Sequence, residues 1–136
     1  MIPRFRAYDS GSLCRMYSPS EVMVGDSCIW ILDEDSESNE WIVNNDLVLM
    51  QSTGLTDSVE KEIFEGDILS IETDEENVKV EVSWDSKHAL FVFESKKYNE
   101  KEALGELFED NSYPFKIIGN VWEDGELLDG ENTEEN

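Results

Sequence analysis

A chain of 136 residues with 39% hydrophobic and 10% aromatic content carries enough apolar surface for one ordinary domain or two small halves sharing a core. Its 33 acidic against 10 basic residues give a formal net charge of -23, which argues against a nucleic-acid-binding face and disfavours adhesion to anionic membranes. No apolar run approaches the ~18 residues of a membrane span. No charged-then-apolar leader opens the chain, and Cys14 and Cys28 fit free thiols in a reducing compartment better than a disulfide scaffold, so a cytoplasmic protein is expected.

Ile2 to Asp9 alternates charged and apolar side chains, as a half-buried strand does. Asp9-Ser10-Gly11-Ser12 turns it into a return strand, Leu13 to Tyr17. The chain's arginines, Arg4, Arg6 and Arg15, all fall here, and ion pairing within the fold is expected before any specific anion site. After a break at Pro19-Ser20-Glu21, Val22 to Val24 and Cys28 to Leu32 form short strands about a Gly25-Asp26 turn. Asp33 to Glu40 is a solvated acidic loop, Trp41 to Val43 a short strand, and Asn44-Asn45-Asp46 a turn.

Leu49 to Leu69 is a joint between two β segments. The apolar run Leu47 to Met50 ends at Gly54, a polar turn region follows, and Ile63-Phe64 resumes the apolar pattern. Glu65-Gly66-Asp67 makes a second tight turn into Ile68 to Ile71, with glycine suited to the positive φ such turns need. Val78 to Trp84 alternates over its whole length, with Val78, Val80, Val82 and Trp84 on one face. Asp85 to His88 turns it back into Ala89 to Phe93. Asn99 to Glu109, with Asn99 as cap and Ala103, Leu104, Leu107 and Phe108 at helical spacing, predicts a short helix or 3₁₀ turn. Pro114 precedes a strand from Phe115 to Trp122, bulged or bent at Gly119-Asn120.

These elements predict a mainly β fold, all-β with one short helix. An N-terminal β half (1–58) joins a C-terminal SH3-like, partly open barrel (59–128), and an acidic tail (129–136) is expected to be disordered.

Candidate chemistry is sparse. Asp33, Asp35, Glu37 and Asn39 occupy alternating positions of a calcium loop, but Ser38 stands where the sharp turn needs glycine and Asn44 where the bidentate glutamate belongs. His88 is the lone histidine and makes no zinc pattern with the two cysteines. A Cys-His nucleophile pair has no support around Cys14 or Cys28. With acids this abundant, two close carboxylates carry no evidence of acid/base catalysis. There is no phosphate-cradling glycine loop and no serine elbow, so neither an enzyme nor a cofactor is expected. Trp30, Trp41, Trp84 and Trp122 sit in strand-like pattern, where sheet packing is the first reading and a partner anchor the second.

Three blocks in order carry a resemblance. They are Arg4-Phe5-Arg6-Ala7-Tyr8-Asp9 with Met16-Tyr17; Val48 to Asp57 followed by Lys61-Glu62-Ile63-Phe64-Glu65-Gly66-Asp67-Ile68; and Ile117 to Glu123 with Glu126-Leu127-Leu128. On them the chain resembles the YopX-like family of phage and prophage proteins. It departs from the pattern at Ser52 (usually tyrosine), at Val59-Glu60 (usually an Asn-Gly style turn) and at Gly125 (usually proline). The resemblance implies a small β-rich protein encoded by a phage or prophage, and it carries over no catalytic residue.

The expectation for function is a non-enzymatic accessory or regulatory protein that binds a basic host or phage protein. The candidate surface is acidic: Asp33, Glu34, Asp35, Glu37 and Glu40, with Asp74, Glu75 and Glu76 if the fold brings them together. A structural, self-assembling protein is the alternative, and mimicry of nucleic acid is a sharper form of the first.

Overall fold

The computed structural model describes residues 4–11, 13–33, 40–110 and 113–128. The tail 129–136 and positions 34–39 of the acidic loop lie outside the described residues. The chain divides into two units, 1–52 and 53–136, and it is mainly β, as expected.

In the first unit β1 (Phe5–Asp9) runs antiparallel to β2 (Arg15–Tyr17) on one side and to the start of β6 (Val48–Thr56) on the other. Ala7 therefore lies opposite both Tyr17 and Leu49. A 3₁₀ turn, Pro19–Glu21, leads into a second antiparallel sheet of β3 (Val22–Gly25), β4 (Cys28–Leu32) and β5 (Trp41–Val43). Ala7, Tyr17, Val22, Ile31 and Leu47 form the unit's core. Arg15 pairs with Glu21 at 2.6 Å and lays its guanidinium 4.5 Å from the centre of the Tyr17 ring, which is the internal pairing expected of it. The turn between β3 and β4 falls one residue later than expected. Asp26 and Ser27 both take positive φ (51° and 60°), the mark of the primed two-residue hairpin turn that follows the twist of its strands, and Gly25 pairs with Cys28 inside the ladder.

The central joint also differs from expectation. Gly54 does not end the strand: it takes φ 80° within β6, which runs on to Thr56. The Thr53 hydroxyl donates to the Ile63 carbonyl at 2.8 Å and accepts the Leu55 N–H at 3.1 Å. Backbone on both sides of Gly54 is thus tied locally, and the true turn comes at Asp57, ahead of β7 (Glu62–Phe64).

The second unit holds a five-stranded antiparallel sheet made of β8 (Asp67–Glu72), β9 (Asn77–Asp85), β10 (Leu90–Ser95), β11 (Glu100–Ala103) and β12 (Phe115–Asn120). Its order is β11-β10-β9-β8-β12. Four strands meander, a one-turn helix α1 (Glu106–Asp110) follows, and β12 returns beside β8. The end strands β11 and β12 are not neighbours, so the sheet is open at both edges. Leu69, Val80, Val82, Phe93, Leu104 and Phe115 fill its core, with Phe108 meeting Phe115 edge-on at 5.2 Å between ring centres.

The helix is shorter than the spacing predicts. Residues 100–103 form β11, paired with β10 through Phe93–Glu102 and Ser95–Glu100. Asn99, expected as a helix cap, instead sits at φ 52° in the hairpin turn. A ladder against β10 outweighs a weak helical preference broken by Gly105, and helix begins only beyond that glycine. β12 carries the expected irregularity, a register shift between Ile117 and Gly119, but ends at Asn120. There the Asn120 side-chain oxygen accepts the Trp122 and Glu123 N–H groups and turns the chain away.

Candidate functional site

The perfect alternation of β9 puts Val78 and Val80 on the inner face of the second unit's sheet, with Ile71 opposite Val78 on β8. Phe93 and Ser95 on β10 and Glu100 and Glu102 on β11 continue the same face, because each cross-strand pair projects to one side. Between this face and Leu107 of α1 lies a cavity of about 490 Å³. Its deep part is apolar: Ile71, Val80 and Phe93 are buried, and Val78 and Leu107 flank them.

The upper wall is of opposite character. Glu75, Glu76, Glu100 and Glu102 line it together with Tyr98 and Tyr113, and both tyrosines are exposed, at 46% and 40%. Glu76 is held in place. Its carboxylate takes Lys97 Nζ at 2.7 Å and the Tyr98 hydroxyl on its other oxygen. The Lys97 bond, then the Tyr98 bond, keep the Glu76 carboxyl below its ordinary range. The same carboxylate pushes the Tyr98 phenol up. The ammonium of Lys97 also stands 5.6 Å from the centre of the Tyr98 ring. Thr73 shapes the turn beneath, donating its hydroxyl to the Glu76 carbonyl at 2.6 Å and accepting the Glu76 N–H at 3.1 Å. The side chains of Glu75, Glu100 and Glu102 have no ion pair among the described residues. An apolar floor beneath an acidic, aromatic rim can accept an apolar group while offering carboxylates and ring faces to cations beside it.

Of the acids singled out in the sequence, Glu75 and Glu76 lie on this rim, and Asp74 is exposed in the same turn. Asp33 and Glu40 belong to the first unit, where the Asp33 N–H meets the Glu40 carbonyl at 2.7 Å and closes the base of the loop. Glu34, Asp35 and Glu37 lie outside the described residues, as does most of the calcium-like spacing. Among the described residues no three His, Cys, Asp or Glu side chains gather as metal ligands would.

Sequence reasoning missed Glu100, Glu102, Tyr98 and Tyr113. Their signal was present: Glu100 and Glu102 are two apart, which in a strand means one face. Helical spacing assigned to the segment hid it. His88 Nδ1 lies 2.8 Å from Asp85 Oδ2, and Asp85 also accepts the Lys87 and His88 N–H groups across their hairpin turn. Cys14 and Cys28 are free thiols. Trp41, Trp84 and Trp122 are exposed and Trp30 is half-buried, so none of the tryptophans joins either core; Trp84 leans edge-on against Phe91 at 4.9 Å. No helix among the described residues is long and apolar enough to cross a membrane.

Comparison with solved structures finds similar folds, among them two bacterial proteins. Protein EF1440 from Enterococcus faecalis is 24% identical with a TM-score of 0.60, covering 94% of this chain and 99% of its own. Protein yopX from Bacillus subtilis is 17% identical with a TM-score of 0.62, covering 92% of this chain and 97% of its own. No curated protein matches the chain. The family model described as YopX protein matches residues 4–129, the whole span over which the three sequence blocks run, and the chain belongs to the YopX protein family.

Proposed function

We propose that this chain is a non-enzymatic accessory protein of a phage or prophage, acting in the bacterial cytoplasm by binding a basic segment of another protein. The observation that carries the reading is the second unit's cavity, with four glutamates and two tyrosines over an apolar floor. A net charge of -23 supplies long-range attraction to a basic partner, and association steered in this way weakens as salt rises. Mimicry of nucleic acid would call for carboxylates along a ridge; these line a concavity, which favours an inserted segment. The test is capture from bacterial lysate at low and then moderate salt, with the wild type beside Glu100→Lys/Glu102→Lys. The reading expects a basic protein that salt releases and the variant fails to hold. Equal capture by both proteins, or clean lanes at both salts, sinks it.

A second reading, self-assembly, has its own observation. In the first unit's three-stranded sheet Trp30 lies opposite Met23 on one side and Val43 on the other, and Met23, Val43 and Trp41 are 46%, 45% and 38% exposed. Exposed apolar rows of this kind mark association surfaces. A sizing column separates the two readings: self-assembly grows at high salt, where like charges are screened, while capture of a basic partner fades.

A further inference from the structure

Resting on the reading of the cavity as a binding site for a basic segment, we infer that its recognition element is an apolar side chain flanked by lysine or arginine, and that the apolar residue, not a cation, enters the floor. The floor has little to offer a charge. Ile71, Val80 and Phe93 are buried hydrocarbon. The two hydroxyls nearby are engaged, Thr73 with both backbone groups of Glu76 and Ser95 with the Tyr98 N–H at 3.2 Å. An ammonium driven to that depth would surrender its water for at most the spare lone pair of a hydroxyl, a heavy cost. An aromatic or branched aliphatic side chain would replace water against Phe93, Val78 and Leu107 at no such cost.

The rim has the opposite demand. Lys97 already partners Glu76 at 2.7 Å, so the acceptors left for a ligand are the carboxylates of Glu75, Glu100 and Glu102. Glu75 stands in the turn between β8 and β9, while Glu100 and Glu102 stand on β11. β9 and β10 lie between β8 and β11 in the sheet, so the carboxylates reach the cavity lining from two separate elements. A residue anchored in the floor therefore has carboxylates from more than one element beside it, and cations flanking it in sequence find partners. Tyr98 and Tyr113 add ring faces over which guanidinium or ammonium groups rest favourably. The occupant is thus a protein segment of basic–apolar–basic pattern.

The test is fluorescence anisotropy of short labelled peptides against the full chain at low salt. One peptide carries a central phenylalanine between paired lysines, a second has serine in its place, and a third keeps phenylalanine between paired glutamates. The inference expects the phenylalanine–lysine peptide to bind roughly tenfold or more tighter than the serine peptide, the margin expected from burying one such side chain, and the glutamate peptide not to bind. Tyr113→Ala and Glu100→Gln/Glu102→Gln, both at exposed positions, should each weaken the phenylalanine–lysine peptide. Equal affinity for the serine and phenylalanine peptides would overturn the apolar anchor while leaving basic-segment binding intact. No binding by any lysine peptide would overturn the binding reading itself, and the anchor with it. Tight binding untouched by all these variants would place the contact elsewhere and overturn the inference.

Discussion

The Asp57 carboxylate accepts the Ile117 N–H at 3.0 Å, a bond spanning sixty positions of sequence. Its other oxygen accepts the Val59 and Lys61 N–H groups at 3.0 and 2.9 Å. Next to it, the Ser58 N–H donates to the Phe115 carbonyl and the Ser58 hydroxyl accepts the Phe115 N–H. One short turn thus satisfies backbone along the outer edge of β12. Asp57 lies in the middle block of the family resemblance, and here that block's acid is an architectural group. Asp57→Asn keeps the shape but aims an amide at one of these donors. Leaving a buried donor unmet costs about 1–3 kcal/mol, measurable by urea unfolding.

The same carboxyl fixes a pH dependence. Burial alone would raise its pKa, yet the Ile117, Lys61 and Val59 N–H groups outweigh burial and hold it below the ordinary range. A group whose folded pKa is depressed contributes stability above its unfolded pKa, about 3.9 for aspartate, and loses it as pH falls through the folded value. The stability gap between wild type and Asp57→Asn should therefore be constant near neutrality and narrow below about pH 4. A gap that widens in acid contradicts the assignment.

Glu60 sits at φ 64°, inside the turn that Asp57 organises. The family pattern prefers an Asn-Gly style turn where this chain has Val59-Glu60, and the backbone explains the preference: the left-handed region costs an ordinary side chain about 1–2 kcal/mol. Glu60→Gly should relieve that strain, with a net gain of about 1 kcal/mol or less because glycine also loosens the unfolded chain. A lowered melting temperature would count against the strained turn.

How far the sequence made the fold legible depends on which force shaped each segment. In β9 the alternation of Val78, Val80 and Val82 is dictated by one buried face, and periodicity reads that directly. Glu100 to Ala103 has almost nothing to bury, so its strand is imposed by pairing with β10, a tertiary cause that local pattern does not contain. The site suffered in consequence. Glu75 and Glu76 were found because they stand in a run of acids, but Glu100 and Glu102 join them only through strand pairing. Similarly, Gly54 looked like a stop, whereas Thr53 bridges the bend with its own hydroxyl. That compensation is invisible before the partners are in place.

On the opposite side of the sheet Glu81 lies directly across from Glu94. Burial raises the Glu81 pKa; Lys96 pulls it down and Glu94 pushes it up, leaving a net rise. A raised carboxyl favours its protonated form in the folded state, so the charged form carries a penalty at neutral pH that disappears as pH falls. Glu81→Gln should stabilise the protein at pH 7 by less than about 1 kcal/mol, since solvent screens a half-exposed carboxylate. The gain should vanish in acid below the ordinary glutamate range. A variant destabilised at neutral pH would show that Glu81 is held by its neighbours rather than strained by them.

The tie between Glu76, Lys97 and Tyr98 makes the rim of the cavity spectroscopically addressable. Tyr98 has a raised phenol pKa, first because its hydroxyl donates to Glu76 and then through desolvation. Its protonated form is the one the folded state prefers, so the tie holds below the unfolded tyrosine pKa and is lost as pH rises through the folded value. Glu76 has the opposite sign: its depressed carboxyl sustains the tie above the unfolded glutamate pKa and releases it in acid. Glu76→Gln removes the negative charge beside the phenol. In an ultraviolet titration one of the chain's four tyrosines should then ionise at lower pH than in the wild type. Tyr98→Phe identifies it, because adding Glu76→Gln to that background should leave the remaining tyrosine curve unchanged. Both groups are solvent-exposed, so the melting temperature should hardly move; a shifted phenol without a shifted melting temperature marks a group that orders the rim and not the fold. A large loss of stability, or a tyrosine curve indifferent to Glu76, would mean that the rim carboxylate is not fixed by Tyr98 in solution.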